Sequence, residues 1–155
     1  MTQTSKRQGL VLTSTQAVAA RPEAVFKLLD DYPGYGAWAP FLTISPTAKE
    51  TDPNRMDFAI RLDQLKKPVV LFGKVTAREP HRLVAWSLGA RGALTLRESF
   101  TIERAMAGSV IIHHVTFEGV LRWVLGPPLL RLYRPVFGTL DRALRRRLGG
   151  PKARR

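Results

Sequence analysis

The 155-residue chain contains no cysteine, which excludes disulfides, thiolate metal sites and cysteine nucleophiles. It has no apolar run approaching the roughly 18 consecutive residues that a membrane-spanning helix needs, and its first residues, MTQTSKRQG, lack the apolar core of a signal peptide. Glycine-rich phosphate loops are missing as well, because GPP at 126–128 and GG at 149–150 lack the Lys-Ser/Thr or GxGxxG context. These absences predict a cytoplasmic protein and leave no motif for binding phosphate groups.

Acidic residues are scarce: 12 Asp and Glu stand against 25 Lys and Arg, a net charge of +13. The C-terminal end, residues 141–155, has seven Lys or Arg and one Asp, and so contributes +6 of this charge. Such an imbalance favours an anionic partner, either nucleic acid or a membrane surface. Nucleic-acid readers usually interleave aromatic residues with basic ones. Residues 138–155 contain none, so nucleic acid is the less favoured partner. The candidate residues for contact with an anionic membrane surface are Arg142, Arg145, Arg146, Arg147, Lys152, Arg154 and Arg155.

The hydrophobic content of 45% is enough for one folded domain with a core. Residues 8–20 alternate loosely and are rich in Val and Thr, which predicts a strand. Pro22 at a first helical position, followed by an apolar face, predicts a helix that Pro33 and Gly34 end. The segment YGAWAPF, 35–41, predicts a turn or a short second helix.

Alternating apolar and polar residues predict five further strands in the middle of the chain. The alternation is clearest between Leu94 and Ile102, where the odd-numbered residues are all polar. The five segments are RMDFAIRL (55–62), KPVVLFGKVTARE (67–79), HRLVAWSL (81–88), ALTLRESFTIE (93–103) and VIIHHVTFEG (110–119).

A long C-terminal helix is predicted from about Pro127–Pro128 to Leu148, where two glycines end it. Apolar residues spaced by three or four give it one wide apolar face, and Pro135 should kink it. That face consists of Leu129, Tyr133, Val136, Phe137, Leu140, Leu144 and Leu148. The order of elements predicts an α+β fold, in which this helix covers an antiparallel sheet of about six or seven strands. We expect a single domain over 8–149, a flexible N-terminal tail over 1–7 and a basic tail over 150–155.

Four segments in this order resemble the SRPBCC superfamily, the START-like and polyketide cyclase/dehydrase-like proteins that share the helix-grip fold of the birch-pollen allergens. The segments are RPEAVFKLLDDYPGYGAWAPF (21–41), EPHRLVAW (79–86), GSVIIHHVTFEGVL (108–121) and the terminal Leu- and Arg-rich helix. The resemblance covers roughly residues 9–148. It implies a curved antiparallel sheet wrapped around the C-terminal helix, with one or two short helices after the first strand. It implies function only loosely, because members bind lipids, sterols, hormones or polyketides, and some catalyse.

Glu98 is the most informative polar residue because it lies on the apolar face of its predicted strand, where a carboxylate needs a partner. If Ile102 lies opposite Ile111 on the neighbouring strand, Glu98 and His113 are diagonal neighbours about 7–8 Å apart, within side-chain reach. The pair is a candidate catalytic acid/base site or a ligand-orienting site. The alternatives are a purely structural pair or a solvent-exposed edge position.

Apolar residues at inward positions predict either an ordinary core or the lining of a ligand pocket, since such pockets are mostly apolar. Periodicity does not separate the two, and the family resemblance favours a pocket. The candidate lining residues are Trp38, Phe41, Met56, Phe58, Ile60, Trp86, Phe100, Phe117, Tyr133, Val136 and Phe137. The three histidines have no matching carboxylate spacing, which predicts no metal site, and no motif indicates a cofactor.

Three functions remain open from the sequence. The first is binding or transport of an apolar small molecule, such as a lipid, a sterol-like molecule or an aromatic polyketide, between the sheet and the C-terminal helix. The second is a cyclase or dehydratase that uses Glu98 and His113. The third is interaction with a membrane surface or nucleic acid through the basic tail, which should depend steeply on salt.

Overall fold

The computed structural model describes residues 10–48, 51–63, 65–90 and 92–150. The predicted N-terminal tail, 1–7, and residues 151–155 of the predicted basic tail lie outside this range. The elements in chain order are β1 (Val11–Val18), α1 (Pro22–Asp30), a 3-10 helix (Tyr32–Ala37), β2 (Leu42–Pro46), β3 (Arg55–Ile60), β4 (Val69–Glu79), β5 (Leu83–Ala90), β6 (Leu94–Ala105), β7 (Gly108–Glu118) and α2 (Arg122–Leu148). This order confirms the predicted α+β class with two short helices after the first strand.

The strands form one antiparallel sheet in the order β1-β7-β6-β5-β4-β3-β2. The first strand therefore pairs with the last one, and β1 and β2 are the edges. Helix α2 packs against β1, β6 and β7, and α1 packs against β5, β6 and β7. The sequence patterns predicted six of these strands and missed β2. That strand has only five residues and ends at a proline, which edge strands tolerate.

The predicted register of the two longest neighbouring strands is confirmed. Ile102 of β6 lies opposite Ile111 of β7, and Phe100 lies opposite His113. Because side chains alternate along a strand, this register sends Glu98, Phe100 and His113 to the same face of the sheet. All three are buried there, with exposed fractions of 3%, 0% and 0%.

Helix α2 begins at Arg122, earlier than the predicted start near Pro127–Pro128. Prolines are most common in a first helical turn because they lack an N–H group, and the prediction used them as the start. The carbonyl groups that these prolines leave without helical partners belong to residues 123 and 124. Both of these residues are exposed, so water can satisfy the carbonyls. The helix also continues through Pro135, whose carbonyl oxygen accepts a hydrogen bond from the Thr139 hydroxyl at 2.8 Å.

Candidate functional site

A cavity of about 360 Å³ lies between one end of the sheet and the N-terminal half of α2. Its size falls within the range of about 300–1,000 Å³ that is typical of small-molecule pockets. The described lining residues come from β3 to β7, the loop between β3 and β4, and α2. They are Ile60, Leu62, Leu65, Val69, Leu71, Leu88, Gly89, Leu94, Leu96, Phe117, Leu129, Leu132 and Tyr133. Tyr133 is the one described lining residue with a polar atom in its side chain.

Aromatic side chains occupy the neighbouring inward positions of the sheet. The rings of Phe58 and Trp86 lie 5.6 Å apart between centroids, and those of Trp86 and Phe100 are also 5.6 Å apart. All three side chains are almost completely buried. The cavity therefore occupies the end of the sheet where the inward residues are mainly leucine, valine and isoleucine, and the aromatic cluster lies at the next inward positions of β3, β5 and β6.

Glu98 lies inside this aromatic cluster and is fully hydrogen-bonded. Its Oε2 atom accepts from the indole N–H of Trp86 at 3.0 Å and from the hydroxyl of Tyr133 at 2.9 Å. Its Oε1 atom lies 2.6 Å from Nε2 of His113. Burying a carboxylate is costly unless it is paired and hydrogen-bonded, and these three contacts meet both conditions.

His113 connects Glu98 to a second carboxylate on α2. Its ring is stacked between those of Phe100 and Phe137, with centroid distances of 4.2 and 4.0 Å. Nδ1 lies 2.7 Å from Oδ1 of Asp141, while Nε2 contacts Glu98. A neutral imidazole has only one N–H, so donation to two carboxylates requires the doubly protonated ring.

The surroundings of His113 favour that charged form. Burial alone would lower the pKa of His113, but the hydrogen bonds and negative charges of Asp141 and Glu98 outweigh burial and raise the pKa. Asp141 is held in turn by the Ser14 hydroxyl, which donates to its Oδ2 atom at 2.5 Å. The amide of Gln16 donates to the Asp141 backbone oxygen at 3.2 Å. The network therefore ties β1, β5, β6 and β7 to α2.

Tyr133 is the link between this polar network and the cavity. The residue lines the cavity, and its hydroxyl donates to Glu98. Burial and the negative charge of Glu98 raise the pKa of Tyr133 well above 10, so the hydroxyl keeps its proton. Glu98 and His113 do not line the cavity, and both are separated from it by this tyrosine.

The sequence-predicted lining residues divide into three groups. Ile60, Phe117 and Tyr133 line the main cavity. Phe41 and Val136 line a second cavity of about 130 Å³, which shares Leu62 and Leu132 with the first and has Arg61 and Asp63 in its wall. The remaining six lie outside both cavities: Trp38, Met56, Phe58, Trp86, Phe100 and Phe137. Met56 is partly buried, and the other five belong to the buried core.

Sequence reasoning missed Asp141 and named none of the leucines that line the cavity as lining residues. One signal for Asp141 was available, because it is the single acidic residue of α2. It also follows Tyr133 and Phe137 at intervals of four, which puts the three on neighbouring positions of one helix face. The leucine lining had no comparable signal, because inward aliphatic residues look the same in a solid core and in a cavity wall.

Four of the seven residues of the predicted basic surface lie within the described range. Arg142, Arg145, Arg146 and Arg147 are exposed on the last turns of α2, where cations also favour the helix dipole. The other three candidates, Lys152, Arg154 and Arg155, lie outside it. Within the described ranges no helix is both long and apolar enough to cross a membrane, and no His, Asp and Glu cluster is arranged to hold a metal ion.

Comparisons with known proteins identify the family and the fold to which this architecture is similar. A family model described as polyketide cyclase / dehydrase and lipid transport matches residues 10–151. A START superfamily protein from Mycobacterium smegmatis matches with a TM-score of 0.70 and 19% identity, covering 89% of this chain and 96% of that one. XoxI from Bacillus cereus matches with a TM-score of 0.67 and 14% identity, covering 89% and 94%. The di-domain ARO/CYC protein StfQ from the steffimycin biosynthetic pathway matches with 0.64 and 11%, covering 88% of this chain and 48% of that one. The comparison with curated proteins found no match.

These matches confirm the START-like helix-grip fold, and at such low identities the solved structures show the fold alone. The family match spans almost the whole described chain, and the protein therefore belongs to the polyketide cyclase / dehydrase and lipid transport family. Membership supports binding of a hydrophobic ligand or polyketide cyclisation as its general function.

Proposed function

We propose that this protein binds or carries an apolar small molecule, such as a lipid, a sterol-like molecule or an aromatic polyketide, in the cavity between the sheet and α2. The observation that carries the proposal is the cavity of about 360 Å³ whose described lining is apolar apart from Tyr133. Such a lining offers a ligand hydrophobic burial at about 25 cal/mol per Å² and few directional contacts. The family's description, which includes lipid transport, supports the same function.

The chemistry of the polar network favours carriage over catalysis. General acid–base catalysis works best with a group whose pKa lies near the working pH, whereas the pKa of Tyr133 is raised well above 10. The side chains of Glu98 and His113 are 2% and 0% exposed, and their polar atoms are already engaged with other protein groups. A network of this kind holds α2 against the sheet at a fixed height, which keeps the neighbouring cavity open.

Filling the cavity tests the proposal. Leu129 lines the cavity from α2, so Leu129→Trp adds a large side chain at the cavity wall. Leu148 lies on the same helix beyond the cavity and is partly buried, so Leu148→Trp is the matched control. Binding of parinaric acid, a fluorescent apolar polyene, is measured by titration with each variant and the wild type.

We expect the wild type and Leu148→Trp to bind the probe, and Leu129→Trp to bind it at least ~tenfold more weakly, a difference of about 1.4 kcal/mol. Equal binding by Leu129→Trp and the wild type, with both folded, would place the probe elsewhere and contradict the proposal. Melting temperatures of the three proteins control for folding.

A cyclase or dehydratase is the second candidate, and one observation favours it. Tyr133 lines the cavity, and its hydroxyl donates to the buried carboxylate of Glu98, which in turn contacts His113. Glu98 and His113 would then be positioning residues that act through Tyr133. This candidate requires that Tyr133→Phe abolish conversion of an aromatic polyketide intermediate while probe binding persists. If neither the wild type nor Tyr133→Phe converts the intermediate, the cyclase or dehydratase candidate is excluded and the carrier function remains.

A further inference from the structure

The N-terminal end of α2 exposes a run of large apolar side chains. Val120 is 79% exposed, Val124 is 72% exposed and Trp123 is 52% exposed. Single exposed apolar residues are common, but a contiguous group marks an interaction surface. We define the apolar tip as Val120, Leu121, Trp123, Val124 and Leu125, all of which are exposed.

The apolar tip adjoins the rim of the cavity. The backbone N–H groups of Val120 and Leu121 donate to the carbonyl oxygens of Gly92 and Ala93, at 3.1 and 2.9 Å. These bonds hold the start of α2 against the turn between β5 and β6. Leu94, which follows Ala93 in the chain, lines the cavity, so the apolar tip lies beside the cavity wall. Leu65, in the loop between β3 and β4, also lines the cavity and is 47% exposed, so the wall reaches the protein surface at that loop.

The charged residues near the apolar tip are mainly positive. Residues 119–140 contain no Asp or Glu but include Arg122, Arg131 and Arg134, all exposed. Lys66 and Lys67, also exposed, follow Leu65 in the loop on the other side of the cavity, where Asp63 is also exposed. The flanking Glu118 is paired with Arg97 at 3.0 Å.

This composition matches a surface that binds anionic lipid. Exposed apolar side chains enter the headgroup boundary, and neighbouring Lys and Arg are attracted to anionic headgroups. Tryptophan is enriched at that boundary, and the guanidinium of Arg122 lies over the ring of Trp123 at 5.0 Å from its centroid. An acidic protein partner would satisfy the cations but would leave the apolar run in need of a matching apolar surface.

We propose that the apolar tip docks on a membrane surface that contains anionic lipids, with the rim of the cavity at the level of the headgroups. An apolar ligand then passes between the cavity and the lipid without crossing water. Arg122 and Arg146 lie 24 positions apart on α2, which separates the apolar tip from the C-terminal arginines by about 36 Å along the helix. Docking through the apolar tip is thus distinct from binding through the basic tail.

Co-flotation with vesicles tests the docking. The vesicles contain either phosphatidylcholine alone or equal parts of phosphatidylcholine and phosphatidylglycerol. The tip variant combines Trp123→Ser with Val124→Ser. The matched control combines Val70→Ser with Phe72→Ser, which removes two exposed apolar side chains from β4, 55% and 67% exposed, outside the apolar tip.

We expect the wild type and the β4 control to float with the anionic vesicles, and the tip variant to bind them at least ~tenfold more weakly, because two large side chains no longer leave water. Leu129→Trp should still float with the anionic vesicles. Failure of ligand binding and failure of membrane docking are therefore distinguished by different variants. A measurement without variants uses fluorescence: Trp38 and Trp86 are buried, so a blue shift on adding anionic vesicles reports Trp123 entering lipid.

Three results would overturn the proposal. The first is a wild-type protein that neither floats nor shows the blue shift. The second is flotation that the tip variant keeps but that substitution of Arg145, Arg146 and Arg147 by alanine abolishes, which assigns binding to the C-terminal arginines. The third is a wild-type dimer that the tip variant converts to a monomer in the absence of vesicle binding, which makes a second copy of the chain the occupant.

Discussion

The ring of His113 is fully buried between the rings of Phe100 and Phe137. Phenylalanine in this position would keep the stack, so His113→Phe removes two N–H donors and a positive charge with little change of shape. Glu98 loses its contact at 2.6 Å and Asp141 loses its contact at 2.7 Å. The variant therefore isolates the polar contribution of the network from the packing around it.

Removing one partner of a buried ion pair costs about 3–5 kcal/mol, because the remaining charge stays in a low-dielectric site. The side chain of Asp141 is 16% exposed and keeps its bond from Ser14, whereas that of Glu98 is 2% exposed. Glu98 should therefore bear most of the penalty. We expect His113→Phe to lower the free energy of unfolding by about 3–5 kcal/mol, a large part of the roughly 5–15 kcal/mol of an ordinary domain.

Urea unfolding followed by circular dichroism measures this loss, and His114→Phe is the matched control. His114 is the next residue of β7, points to the opposite face and makes one hydrogen bond, to the Thr13 hydroxyl at 2.8 Å. Its replacement should cost about 1 kcal/mol or less. In a double-mutant cycle, Glu98→Gln combined with His113→Phe should cost less than the sum of the two single changes, since the fully buried carboxylate of Glu98 is no longer left without a cation. Equal costs for the two histidine variants would refute the ionic account of the network.

Three further expectations follow, two from the same network and one from the packing around a glycine of β4. The raised pKa of His113 means that its stabilising contribution is complete below the unfolded value of about 6.5 and is lost as pH rises through the folded value. Urea midpoints should fall over that window in the wild type, and a similar fall in His113→Phe would assign the effect to other groups. Tyr133→Phe removes the donor to Glu98 at 2.9 Å and should cost about 1–3 kcal/mol; an unchanged urea midpoint would contradict this. Gly73→Ala would put a Cβ 2.7 Å from a carbonyl oxygen and should lower the melting temperature, whereas Gly36→Ala meets nothing within 4 Å; equal melting temperatures would contradict the steric account.

The strand pattern could be predicted from the sequence because side-chain alternation is a local property. The parity of Glu98 within β6, and the assumed pairing of Ile102 with Ile111, were enough to place the carboxylate beside His113 across the strands. The missed strand, β2, shows the limit of this reasoning, because five residues that end in a proline give too short a pattern.

The third member of the network could not be derived in the same way. Asp141 meets His113 only because α2 crosses the sheet at a particular height and angle, and those depend on packing over the whole interface. The cavity could not be predicted for the same reason, because it also depends on how α2 packs against the sheet. Periodicity placed Tyr133 and Phe137 on one helix face, but only the packing of α2 shows that Phe137 stacks on His113 while Tyr133 lines the cavity.

The measurement that tests the central claim most directly is native mass spectrometry of the protein purified from its own host, followed by organic extraction. The account predicts a bound apolar molecule in the wild type and in Leu148→Trp, and its absence from Leu129→Trp. A wild-type protein that is empty, and whose melting temperature does not change across a panel of lipids and aromatic polyketides, would contradict the claim that the cavity beneath α2 is a ligand site.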